Sequence, residues 1–282
     1  MADHDDRDED ERYSDGAEME DLRRTATEVF GLDLQEPVNV GSQANLVGLR
    51  SANLLFSRRI DSRTYFVHDE RYGMLGDVGA FQGPEAEHLE ACHRILDRLS
   101  IPRTEVASEA VLKEMTQVGQ LDRETGRMLT EEPQEGKHTA RLTRAVENLP
   151  VWSSGMILGL TRDRRLGYVQ LHWPELSDRT LHEAHRLRYR VAHGWEAPPQ
   201  PGAEVEEIQA GIIHSPAIAF IMDVQPVVRV VYRPAEGLRG QKPVLYLDRH
   251  GRQVPLPRMT DAPPEPGVAR QTPKPQSADA SR

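Results

Sequence analysis

The sequence predicts an α+β protein made of two helix-plus-antiparallel-sheet units flanked by disordered tails, and three observations predict it. Two amphipathic helical patterns stand well apart in the chain, at 84–99 and 178–192. Each is followed by strand-like runs with turn signals between them, so the order helix, then meander, occurs twice, over 84–173 and 178–256. Both ends are of tail composition, acidic at the front and proline-rich at the back.

Residues 1–21 hold eleven acids against Arg7 and Arg12, a net of −9 in a chain whose total is −10. The remaining body is nearly neutral, so the predicted 1–17 tail is a solvated arm that repels nucleic acid or reaches a basic partner. A short helix and linker are expected over 18–50. The helix runs from Glu18 to Phe30 on Leu22, Ala26, Val29 and Phe30, and Gly31 ends it. A first sheet-and-helix unit follows over 51–196 and a second, strand-rich unit over 197–258, whose helix is the one at about 178–192. Pro263, Pro264, Pro266, Pro273 and Pro275 mark 259–282 as the closing tail.

In the first unit Gly83-Pro84 opens a helix. Proline suits the first turn, Glu85 and Glu87 complement the dipole, and Leu89, Cys92, Ile95, Leu96 and Leu99 recur at helical spacing until Pro102. The later helix takes Ser177 or Asp178 as its N-cap, turns Leu181, Ala184, Leu187 or Arg188, and Val191 inward, and stops at Gly194. Four turns predict hairpins: Ile60 to Tyr65, Leu121 to Arg127, Thr161 to Gly167 and Leu247 to Arg252. In the Leu121 and Leu247 turns, of which the other two are looser versions, aspartate caps the reversal and glycine accepts its left-handed residue. Met156, Leu158 and Leu160 alternate with Ile157 and Gly159, and Val169, Leu171 and Trp173 share a face, as in a half-buried antiparallel sheet. A second strand cluster is expected at Ala217–Met222, Val227–Tyr232 and Val244–Leu247.

A helix (Pro84 to Leu99) followed by antiparallel strands with an Asp-x-x-Thr-Gly turn (Asp122 to Gly126) resembles the PepSY-type, cystatin-like unit. Leu149-Pro150-Val151 leading into Met156–Trp173, and Lys242 to Pro255, extend the likeness to about half the chain. Paired units of this kind look like the tandem extracytoplasmic regulators of a bacterial cell-wall sensor kinase. The resemblance implies one helix wrapped by a curved sheet, and a module that binds or restrains a peptide, protease or membrane partner.

Composition excludes several other classes. No run approaches the roughly 20 apolar residues a membrane helix requires, so no integral membrane segment is expected. The first residues, Met1-Ala2-Asp3-His4-Asp5-Asp6, are no cleavable leader, and a cytoplasmic location is the expectation. Cys92 has no intramolecular partner and lies on the apolar side of its helix, which leaves no disulfide framework and no Cys-based zinc site. With 5% aromatic residues and no basic stripe, nucleic acid is not an expected partner.

The run His182 to His193 is the densest candidate for chemistry. His182 and His185, at i and i+3, share a helix face that Tyr189 continues, so two imidazoles can meet one metal ion. His193 lies roughly 12 Å further along the axis from His185, too far for the same ion. A third ligand must come from elsewhere, and His172 and His214, bordering predicted strands, are the candidates. The plainer reading is a solvated polar helix face. Ser153-Ser154-Gly155 lacks the flanking glycine of a nucleophile elbow and reads as a turn between strands. Gly237 to Lys242 lacks phosphate-loop spacing, and acid pairs such as Glu131/Glu132 or Glu206/Glu207 are too common to signify. Trp152, Trp173 and Trp195 are core residues or, if clustered, a partner surface.

The function these readings favour is non-catalytic: a protein- or peptide-binding and assembly module, with oligomerisation open and no cofactor expected. The alternatives are a metal-dependent hydrolase using His182 and His185, and a structural subunit of a larger bacterial assembly.

Overall fold

The computed structural model describes residues 6–35, 37–39, 46–59, 62–73, 79–117, 119–121, 125–126, 128–130, 132–216, 222–234 and 243–254 of the 282-residue chain. It is mixed α+β, with three α-helices and one eleven-stranded, mostly antiparallel sheet among the described residues. An antiparallel meander of β1 (Val38–Asn39), β2 (Leu46–Ser51), β3 (Leu54–Arg59) and β4 (Thr64–Asp69) joins β10 (Leu166–His172). Next comes β9 (Leu149–Leu160), which carries β8 (Gln134–Val146) on its other side, with β5 (Val106–Thr116) outermost. A second meander, β11 (Ala203–Pro216), β12 (Met222–Pro234) and β13 (Val244–Leu247), attaches through two parallel pairs, Ile212 with Val151 and Ile213 with Trp152. β6 (Gly119–Leu121) and β7 (Met128–Thr130) form a separate hairpin.

β9 is thus a branch point. Its Gly155–Leu160 stretch pairs with β10, while Val151 and Trp152 pair with β11. A bulge makes the change of partner: Thr143 of β8 faces Gly155, yet the next residue, Arg144, faces Val151, so Trp152, Ser153 and Ser154 have no opposite number on β8. Ser153 takes a left-handed φ of 70° there. Gly155 closes the bulge, because a Cβ at this position would stand 2.4 Å from the Leu142 carbonyl oxygen.

The helices cover one face of this sheet at three places. α1 (Asp6–Glu28) sets Leu22 and Ala26 against β2, beside Phe30, whose ring lies 5.3 Å from those of Phe56 and Tyr65. α2 (Glu85–Arg98) starts after Pro84 and buries Cys92, Ile95 and Leu96 on Ala140, Leu142, Met156 and Leu158. α3 (Asp178–Ala192) is capped by Ser177, whose hydroxyl accepts from the Thr180 amide at 3.2 Å, and packs Leu187 on Val228, Val230 and Tyr232. Gly31 and Gly194, both at positive φ, follow the two helices that the sequence stops there.

The α+β class and the positions of α2 and α3 match the sequence reading. The strands, however, do not divide into two sheet-and-helix units: β9 and β11 join both meanders in one sheet, and β2 to β4, which precede α2, widen it. The N-terminal acidic segment also differs from the expected arm over 1–17, since the helix already begins at Asp6. The closing tail over 259–282, the 237–242 loop and the strand expected at 217–222, up to Ile221, lie outside the described residues.

Candidate functional site: a strand edge held by a buried ion pair

β5 is eleven residues long and, among the described residues, pairs with β8 alone. Among the described residues its other side is an open edge of backbone donors and acceptors, the arrangement that accepts an added strand. The pairing with β8 is regular from Ser108 to Lys113 and irregular at both ends. Val111 opposes buried Ala140 and packs on the core, which places Glu109, Val111 and Lys113 on the α2 face. Ala110 and Leu112 take the opposite face, and Leu112 and Met115 are 49% and 62% exposed. By comparison, β13 is shorter and is partly covered by Gln253 and Val254, which bond back to Leu247 and Tyr246.

The start of β5 is pinned by a buried cation. Arg144, on β8 opposite Val106, reaches Glu105 through Nε at 2.9 Å and Nη2 at 2.8 Å; Glu105 closes the 3₁₀ turn Arg103–Glu105. The same carboxylate accepts the Trp173 indole N–H at 2.9 Å, and the guanidinium carbon lies 5.3 Å from that ring. Arg144 Nη1 also donates to the Pro174 carbonyl at 2.6 Å. Burial lowers the Arg144 pKa, and Glu105 opposes that by attraction and hydrogen bonding. Two charges and an indole thereby fix the turn from which β5 departs.

A second polar group fills the fork itself. Ser153 Oγ donates to the His214 carbonyl at 2.9 Å and accepts from its amide at 3.2 Å, while Ser154 Oγ donates to the His172 carbonyl at 2.8 Å. His172 Nδ1 meets Thr64 Oγ1 at 2.7 Å, and its Nε2 contacts His214 Nδ1. The two rings are 12° from parallel with centroids 4.5 Å apart. With the nitrogens touching, that is an edge-to-edge pair in which one ring donates and the other accepts, not a face-to-face stack. Burial first, then His214, Arg59 and Arg144, pushes the His172 pKa down to about 3. Under α2 there is another buried pair: His88, fully buried and with no hydrogen-bond partner for either nitrogen among the described residues, 5.7 Å from His138.

The residues singled out from sequence are placed differently. His182 is exposed, and His185 Nε2 lies 2.5 Å from Glu147 Oε2. His172 and His214 meet each other at the fork, not His182 or His185, and among the described residues no three His, Cys, Asp or Glu side chains gather to hold a metal ion. The serines at 153 and 154 lie within β9 as its bulge, not in a turn between strands. The tryptophans do not share a surface: Trp173 is core, Trp152 packs edge-on to Tyr246 at 5.3 Å, and Trp195 joins the α3 cluster. Cys92 is fully buried, and desolvation pushes its thiol pKa up to about 12. No helix among the described residues is long and apolar enough to cross a membrane.

No family model matches the chain, and no curated protein matches it. A crystal structure of an uncharacterized protein from Eubacterium rectale is similar at a TM-score of 0.43 and 14% identity, over 84% of this chain and 81% of that one.

Proposed function

We propose that this protein is a non-catalytic binding and assembly module that receives an extended segment of another polypeptide along β5. The observation that carries the reading is the eleven-residue strand with one open side and with Leu112 and Met115 exposed on it. In strand addition the main-chain ladder supplies affinity, and alternate side chains supply choice. Here one face offers Ala110 and Leu112 and the other Glu109 and Lys113, so the acceptable segment alternates apolar with charged residues.

The test is affinity capture from the native host's lysate with the full chain and with Leu112→Lys/Met115→Lys, after equal urea midpoints show that both fold. A protein retained by the wild type and reduced at least about tenfold by the variant is the expected result, since each buried apolar side chain contributes about 1.5–3 kcal/mol. Equal recovery by both contradicts it.

A further inference from the structure

We infer that the segment received by β5 is the β5 strand of a second copy, paired antiparallel about a two-fold axis at Val111. This rests on the strand-addition reading and names its occupant.

The argument is one of self-complementarity. An isologous interface requires that each residue meet its own symmetry mate's partner, so in an antiparallel pair centred on Val111 residue 109 faces residue 113 of the other copy. Glu109 then opposes Lys113 twice, once on each side of the axis. Both lie on the α2 face, and a two-fold axis perpendicular to the sheet keeps that face common to the two copies, so the opposed side chains emerge on the same side. On the other face Leu112 opposes Ala110, a large residue over a small one, again twice. Val111 is also the midpoint of the strand Val106–Thr116, so this register uses its whole length.

Alternative in-phase registers lack this match. Moving the axis to Ala110 sets Glu109 against Val111, and moving it to Leu112 sets Lys113 against Val111; each shift loses both ion pairs. The two charged groups are available for the contact. Glu109 sits 2.7 Å from His93 with its side chain 34% exposed, and Lys113 sits 3.7 Å from Glu135 with its side chain 48% exposed. The irregularities beyond Ser108 and Lys113 confine the regular ladder to the segment that holds both charges.

Sedimentation of the purified full-length chain tests the inference. The expected result is a reversible dimer with a Kd of about 10–100 µM, as suits a single strand pair with few buried side chains. Glu109→Lys and Lys113→Glu should each weaken it at least about tenfold by setting like charges opposite each other twice. An equimolar mixture of these two single variants should form a heterodimer, and the double variant Glu109→Lys/Lys113→Glu should return to within about threefold of the wild type. A wild type that stays monomeric to about 500 µM overturns the inference. So does a dimer indifferent to both reversals, or one that mixing does not restore. If the chain is monomeric while Leu112→Lys/Met115→Lys still loses a captured partner, strand addition stands and the second copy is not its occupant.

Discussion

Arg144→Ala lowers stability by about 3–5 kcal/mol, the loss associated with removing one partner of a buried ion pair. Arg144 is only 5% exposed, and its guanidinium serves three acceptors: the Glu105 carboxylate, the Pro174 carbonyl and the Ser154 hydroxyl. Alanine leaves the first two short of a donor and opens space beside Trp173. Lysine does not rescue the site, because a single ammonium cannot present the planar fork that spans Glu105 and Pro174. The double variant Arg144→Met/Glu105→Gln recovers a substantial part of the loss, since it removes both buried charges and leaves a donor and acceptor at 105. Urea titration measures all three; a loss below about 1 kcal/mol for Arg144→Ala would contradict the anchoring role. As Glu105 immediately precedes β5, the same variant also loosens the edge, and faster amide exchange over 106–110 is its second signature.

Acidification destabilises the fork before it reaches the carboxylates. His172 has its folded pKa near 3, below the ordinary value of 6.5, so between those limits the unfolded chain binds a proton that the folded chain refuses. Stability is therefore complete above about pH 6.5 and is lost as the pH falls towards 3, with a slope of up to about 1.4 kcal/mol per pH unit from this one group. Asp21 is held below the usual carboxylate range by the Arg58 hydrogen bond. Between pH 6.5 and 4.5 His88, whose pKa is lowered by burial and then by His138, acts in the same direction, so the contribution of His172 is read as the difference between wild type and a His172 variant. His172→Gln, which keeps a polar side chain towards His214, should reduce the slope of the stability curve there. Equal slopes for wild type and variant would show that His172 does not set it. The structural reason for sensitivity is local: β11 joins β9 through two residue pairs, and the His172–His214 contact is a further tie across the same seam.

The parts of the fold that were legible in the sequence are those whose burial is one-sided. α2 and α3 carry an apolar stripe between a proline or serine start and a clear stop, and β10 alternates strictly, so pattern and structure agree. β5 escaped because its environment is not one-sided. Glu109-Ala110-Val111-Leu112-Lys113-Glu114-Met115 is made largely of good helix formers, and exposure on both faces erases the period-2 signal. β8 escaped for a different reason: its core face reads His138, Ala140, Leu142, Arg144, and two polar residues in four hide the alternation. Arg144 could not be singled out, since its role depends on Glu105 and Trp173, which are 39 and 29 residues away in sequence. The histidines at 182 and 185 drew notice because they are close in sequence, whereas the pair that does meet is His172 with His214, 42 residues apart.

The central claim is that β5 is the surface on which another polypeptide adds, and crosslinking from that surface tests it most directly. A photoreactive residue in place of Leu112, in the full chain and in the native host, should give a discrete adduct whose mapped attachment lies in an extended segment, either β5 of a second copy or a strand of another protein. The same residue in place of Tyr189, which is 65% exposed on α3, serves as the control and should give none. Adducts of equal yield from both positions, or no adduct from position 112, would contradict the account.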